Sequence, residues 1–158
     1  MSITVSIDLG YAFDVKASAK AVFDVLADVP VSASHFPHVD QLVDMGDGAY
    51  RWEMKKIGLP HINLQTIYAS RYVANKARKT IVWTPVEGVG NALVSGDWKI
   101  VDKKTFTHVE LQISGELSIP LPSLLEAVIA PAVESEFEKL VEQYIHNLIE
   151  CFGGEVSA

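Results

Sequence analysis

The residues of this chain that could do chemistry are few, and their spacing argues against most catalytic devices. His35 and His38 lie three apart in His-Phe-Pro-His, and His61 sits in a turn that could approach them. A metal site needs at least three ligands in good geometry, and Phe-Pro between two imidazoles makes an irregular loop. The three are therefore read as surface histidines, and no metal or cofactor is expected. His108 and His146 fall on polar faces and read as solvated. Asp8, Asp14, Glu53 and Glu110 occupy the polar phases of their strands, which leaves no buried carboxylate pair for acid/base work. No Gly-x-Ser-x-Gly elbow, Walker-type loop or Cys/His dyad occurs. Cys151 is the only cysteine, which excludes a disulfide within the chain and a Cys-based zinc site. Beside Ile149 and Phe152 it reads as a packed small hydrophobe. What remains is a set of aromatic and hydroxyl side chains on strand faces, with Tyr68 the best-placed titratable group and His61 the next.

The element that must organise these residues is the last third of the chain, Pro120 to Gly154. Leu121, Leu124, Leu125, Val128, Ile129, Val133, Phe137, Leu140, Val141, Tyr144, Ile145, Leu148, Ile149 and Phe152 recur at spacings of three and four, forming one apolar helical stripe. Pro-Leu-Pro-Ser opens it, with Ser118 and Ser123 both open as caps and Ser123 forming a Ser-x-x-Glu box with Glu126; Gly153-Gly154 stops it. Pro131 removes one backbone bond, yet the apolar phase continues across it, so the segment is one long kinked helix. Glu134, Glu138 and Glu142 stack on the opposite face. That face could dock a basic partner and is read as a solvated face instead.

The rest of the chain alternates with period two. Ile3, Val5, Ile7, Leu9, Tyr11 and Phe13 mark a first strand, and Ser18 caps a short helix over Val22, Phe23, Val25 and Leu26 that Pro30 breaks. Val31 to Phe36 forms another turn or two. Six strands then follow: Val39 to Met45, a strand with Tyr50, Trp52 and Met54 on one face, a long one from His61 to Val73, one carrying Ile81 and Trp83, one carrying Ala92 to Ile100, and one running from Thr107 to Ile119. Gly46-Asp47-Gly48 is a hairpin turn. Gly10, Gly96 and Gly115 are candidate bend or bulge points. An antiparallel sheet has one face to cover, and only the final helix is large enough to cover it. The expected fold is therefore α+β: one domain over residues 1–158, a curved antiparallel sheet around a long C-terminal helix. Periodicity leaves open which sheet face is concave.

At 158 residues and 49% hydrophobic, the chain is large enough for one sizeable core. A net charge of -7 without any basic stripe argues against a nucleic-acid partner. The N-terminus reads as a strand rather than a signal peptide, and the longest apolar run, Ala127 to Val133, is too short to span a bilayer. A cytoplasmic protein is expected, with transient membrane contact allowed and the oligomeric state open.

The element order, the Pro-Leu-Pro-Ser-Leu-Leu opening of the last helix, and the segment Ile81-Val82-Trp83-Thr84-Pro85 through Val94-Ser95-Gly96-Asp97-Trp98-Lys99-Ile100 carry a resemblance. They resemble the START/Bet v 1-like superfamily, also called SRPBCC or helix-grip, and within it bacterial members of the polyketide cyclase/dehydrase-like and carbon-monoxide-dehydrogenase G-subunit-like groups. The resemblance implies a hydrophobic cavity between sheet and final helix. Residues expected to line it are Phe36, Trp52, Met54, Thr66, Tyr68, Trp83 and Trp98 from loop and strands, and Leu125, Val128, Ile129 and Ala132 from the helix. The expected partner is a lipid, quinone, isoprenoid or polyketide-like molecule, carried or sensed. A cyclase or dehydratase using Tyr68 or His61 is the first alternative and a protein-interaction module the second. The entrance is expected between the Pro131 kink, Phe36 and the loop from Glu87 to Gly90.

Overall fold

The computed structural model describes residues 2–59 and 62–156. The first strand, β1 (Ile3–Val15), follows the alternation of its sequence, and Ser18 then caps α1 (Ala19–Ala27) by accepting from the Ala21 amide at 3.1 Å. The next helix, α2 (Val29–Ala33), begins two residues earlier than its sequence suggests. Asp28 caps it through the Val31 amide, so Pro30 sits in the first turn, where its missing N–H costs nothing.

Strands β2 (Val39–Gly46) and β3 (Ala49–Met54) form the expected hairpin, with Asp47 and Gly48 at φ of 53° and 78°. The single strand expected from His61 to Val73 is divided. Ile62–Leu64 (β5) pairs with Ile57–Leu59 (β4) as a separate hairpin, and the main sheet resumes at β6 (Ile67–Asn75). Then come β7 (Thr80–Pro85), β8 (Ala92–Asp102) and β9 (Thr107–Ile119). The sheet has seven antiparallel strands in the order β1-β9-β8-β7-β6-β3-β2, so the first strand pairs with the last. Register is continuous from Ile3↔Ile119 to Val15↔Thr107 and from Ala92↔Leu117 to Asp102↔Thr107. No bulge therefore interrupts these ladders at the candidate bend or bulge points Gly10, Gly96 and Gly115, and register shifts lie instead in the β2–β3 pair, at Val39/Gln41 and Asp44/Gly46.

The last helix, α3 (Glu126–Cys151), is continuous through Pro131. Neither candidate serine caps it. Ser118 belongs to β9, and Ser123 lies inside a 3-10 turn, Ser123–Leu125, closed by the Leu125 amide on the Pro122 carbonyl at 3.0 Å. At the other end Gly154 N–H reaches the Ile149 carbonyl at 2.9 Å and Gly153 N–H the Glu150 carbonyl at 3.2 Å, a Schellman stop at the expected Gly-Gly. The Phe152 carbonyl then accepts from the Ala17 amide at 3.0 Å, which ties the helix end to the chain leaving β1.

The core between sheet and helix falls into three clusters. One joins Phe13, Val22, Leu26, Trp98, Val141 and Leu148; a second joins Ile3, Val5, Leu117, Ile119, Ile129 and Val133; a third joins Val29, Ala33, Trp52 and Met54. Where the three approach one another, side chains do not fill the space.

Candidate functional site

That space is a cavity of about 110 Å³, and its walls come from all three clusters. The concave sheet face supplies the strand residues at odd positions of β1, β9 and β7 and at even positions of β3, β6 and β8. From the sequence-predicted set, Phe36, Trp52, Met54, Thr66, Tyr68, Trp83 and Trp98 all line it. The four helix positions do not. Leu125 and Ile129 pack into the second cluster, Ala132 is half-buried and outside the lining, and Val128 is 51% exposed. The helix instead turns Phe137, Val141 and Tyr144 into the cavity, about two turns further along the same stripe.

The cavity has two chemically different ends. Near α2 it is aromatic: Phe36 meets Trp52 edge-on at 5.9 Å and Tyr144 at 4.9 Å, Trp52 stacks on Tyr68 at 5.8 Å and 10°, and Tyr72 lies 5.6 Å from Trp83. Toward β1 and β9 it is aliphatic, with Ile7, Leu9, Val94, Ile113 and Leu117 and no side chain at Gly115. Gly115 pairs with Ile7 on one side and Val94 on the other, so one glycine leaves a gap across three strands. Gly96 works differently: a Cβ there would come within 2.5 Å of the Trp83 ring and 2.4 Å of the Gln112 carbonyl, so its bare backbone is what seats that indole.

Polar groups in the lining are few, and four of them pair with one another. The Trp52 indole donates to the Tyr72 hydroxyl at 2.9 Å, and the Ser32 and Tyr144 hydroxyls are hydrogen-bonded. Burial pushes the phenols of Tyr68, Tyr72 and Tyr144 well above their ordinary value; the bonds from Trp52 and to Ser32 oppose this for the latter two and do not cancel it. All three are neutral near pH 7. Thr66 is 4% exposed, and its Oγ1 has no hydrogen-bond partner among the described residues.

The backbone that presents Thr66 is pinned. Asn91 accepts from the Ile67 amide at 2.9 Å and donates to the Gln65 carbonyl at 2.9 Å, Gln65 donates to the Met54 carbonyl at 3.1 Å, and the Met54 amide donates to the Thr66 carbonyl at 3.0 Å. This clamp sits at the division between β5 and β6. It also fixes the Glu87 to Gly90 loop, because Gly90 packs so closely on Ile67 that a Cβ would meet its carbonyl at 2.0 Å. Of the three features expected to frame an entrance, only Phe36 lines the cavity.

The remaining candidates lie elsewhere. The carbonyl of His35 accepts from Asn147 at 2.9 Å, His38 is exposed at φ 61°, and His61 lies outside the described residues. Among the described residues no cluster of three metal-ligating side chains occurs. His108 is paired rather than simply solvated: its Nδ1 is 2.6 Å from Asp14. Asp8 accepts from Gln112 and Ser114, and Glu53 pairs with Arg51 at 2.9 Å, all away from the cavity. Cys151 is exposed rather than packed, because it falls on the solvent side of the last turn of α3 while Phe152 turns inward.

Sequence reasoning missed Tyr72, Tyr144 and Ser32. A signal for the first two existed, since a tyrosine inside an otherwise apolar stripe or strand face carries a hydroxyl into the interior that must find a partner.

No protein-family model matches the chain, and no curated protein matches it in sequence. Solved structures do. An aromatase/cyclase, ZhuI, from Streptomyces sp. R1128 superposes at a TM-score of 0.59 with 17% identity, over 92% of this chain and 90% of its own. A START superfamily protein from Mycobacterium smegmatis gives 0.67 with 12% identity, over 92% and 97%. The major latex-like protein 151 of Panax ginseng gives 0.60 with 14% identity, over 94% and 98%. In the described residues no helix is long and apolar enough to cross a membrane. A seven-stranded antiparallel sheet closed by its long last helix, matched over nine-tenths of these chains, is the helix-grip fold that these solved structures share.

Proposed function

We propose that the protein binds an uncharged hydrophobic small molecule in the internal cavity, as a carrier or sensor. The observation that carries this reading is the lining itself: an aromatic and aliphatic wall with a few neutral hydroxyls and a single acidic residue, Glu116, set between three core clusters that do not close on one another. A well-packed interior of this size would have no reason to leave a gap of about 110 Å³. Burying apolar ligand surface is worth about 25 cal/mol per Å², enough for micromolar binding from one or two rings.

A cyclase-like activity is the second reading. It is supported by the Tyr68 hydroxyl, which forms no hydrogen bond to a backbone carbonyl among the described residues. With its phenol held neutral by burial, Tyr68 can donate a hydrogen bond or a proton but makes a poor base at neutral pH. Native mass spectrometry of protein purified from its own host, with a thermal-shift panel of lipids and aromatics, tests the binding reading. A co-purifying neutral ligand or a specific thermal shift supports it; the absence of both removes it.

A further inference from the structure

Resting on that reading, we propose that Thr66 is the polar anchor of the cavity: its hydroxyl takes the hydroxyl or carbonyl group of a ring-sized, uncharged ligand whose ring lies against the Trp52–Tyr68 pair. Trp52 and Tyr72 satisfy each other, as do Ser32 and Tyr144. Thr66 Oγ1 is fully buried and has no partner among the described residues; the Tyr68 hydroxyl and the Trp83 and Trp98 indole N–H groups also line the cavity unbonded but are not fully buried. Buried hydroxyls are normally bonded, so an orphan on a cavity wall marks the place where a ligand group completes the set.

The position is also built to be rigid. The Gln65 to Ile67 backbone is held from one side by the Asn91 amide and from the other by the Met54 backbone. A hydroxyl so fixed loses little freedom when it bonds a ligand. Tyr68 follows two residues later, at the start of β6, stacked on Trp52, and adds an aromatic wall to the same cavity.

Two properties of the cavity limit what the ligand can be. Among the described residues no lysine, arginine, histidine or aspartate lines the cavity, and its one acidic residue, Glu116, lies on the exposed phase of β9. A charged ligand would be desolvated without a counter-charge. The volume of about 110 Å³ is below the ~150 Å³ cavity that holds one benzene, so the ligand is no larger than about one ring, and a substituted ring needs the walls to give slightly.

The test uses p-cresol, p-xylene and 4-methylbenzoate. The first two differ by hydroxyl against methyl at nearly constant shape, and the third adds charge. Titrations followed by the indole N–H NMR signals of Trp52, Trp83 and Trp98 report binding at the site itself. We expect Thr66→Val to weaken p-cresol about tenfold while leaving p-xylene unchanged or slightly tighter, Thr66→Ser to retain most of the p-cresol affinity, and 4-methylbenzoate to bind at least tenfold more weakly than p-cresol. Thr66→Val should also raise the melting temperature of the unliganded protein, because it removes a buried hydroxyl that has no partner. Equal loss for p-cresol and p-xylene, no change for either, 4-methylbenzoate binding as well as p-cresol, or a lower melting temperature for Thr66→Val would each overturn the anchor. If none of the three moves an indole signal, the anchor for a ring-sized ligand falls, while the binding reading is decided separately by co-purification and the thermal-shift panel.

Discussion

The Trp52 indole N–H donates to the Tyr72 hydroxyl at 2.9 Å, joining β3 and β6 inside the cavity wall. Trp52 also stacks on Tyr68 and meets Phe36 edge-on, so this one bond orients the indole shared by both contacts. Removing the acceptor leaves a buried N–H unpaired. Tyr72→Phe should therefore cost about 1–3 kcal/mol in chemical denaturation. Trp52→Phe in the Tyr72→Phe background should cost less than Trp52→Phe in wild type, because the shared bond is already gone. Additive losses would show that the bond contributes nothing.

Gly96 and Gly115 face the same interior from adjacent strands and should respond oppositely to a methyl group. At Gly96 a Cβ collides with the Gln112 carbonyl and the Trp83 ring, and the carbonyl cannot yield without breaking the β8–β9 ladder. Gly96→Ala should cost about 1–3 kcal/mol and displace Trp83, visible as a change in near-UV circular dichroism. At Gly115 the nearest atoms lie at 3.7 and 3.8 Å, ordinary contact distances. Gly115→Ala should be neutral or stabilising by up to about 1 kcal/mol, since alanine restricts the unfolded chain. Gly115→Leu should fill the aliphatic end and weaken ligand binding without unfolding the protein.

These two glycines also show how far the sequence could be read. Period-two alternation located β1 and β9 because one face of each is buried, and the Ser18 cap and Gly153-Gly154 stop were legible because capping is local chemistry. The glycines stood out, but a seat for a tryptophan and a gap across three strands require knowing which residues pair across the sheet. The division at Gln65–Thr66 was hidden for the same reason: alternation continues through it, while the clamp that enforces it comes from Asn91, 24 and 26 positions away. The helix stripe was correct as a stripe. Which of its turns faces free space depends on where the core clusters stop, so Leu125 to Ala132 were chosen where Phe137, Val141 and Tyr144 line the cavity.

The three buried phenols make stability fall in alkali. An unfolded tyrosine titrates near its ordinary value of 10.0, and burial holds Tyr68, Tyr72 and Tyr144 above it in the folded protein. Below pH 10 both states carry the phenolic proton and the folded state loses nothing. Above pH 10 the unfolded chain releases protons that the folded chain retains, so each such group lowers stability by about 1.4 kcal/mol per pH unit until its folded form also ionises. Denaturation midpoints should be insensitive to these groups from pH 7 to 9 and fall steeply above 10. Tyr144→Phe and Tyr72→Phe should each make that fall shallower. An unchanged slope in both variants would mean that these phenols already ionise in the folded state.

Pro131 offers a separation of helix stability from ligand uptake. It is exposed and lies within α3, where it lacks the N–H that would reach the Ala127 carbonyl. A proline inside a helix costs about 3 kcal/mol, so Pro131→Ala should stabilise the protein by up to that amount, less whatever adjustment the chain has already made around it. If the kink gated the cavity, the straighter helix should also take up ligand more slowly. The lining argues against such a gate: α3 meets the cavity at Phe137, Val141 and Tyr144, while the residues flanking Pro131, Ile129 and Val133, are buried in the second core cluster. We therefore expect Pro131→Ala to raise the melting temperature and slow amide exchange across residues 127–135, with the rate of p-cresol uptake in stopped-flow or NMR exchange measurements unchanged. Slower uptake in this variant would return the entrance to the kink.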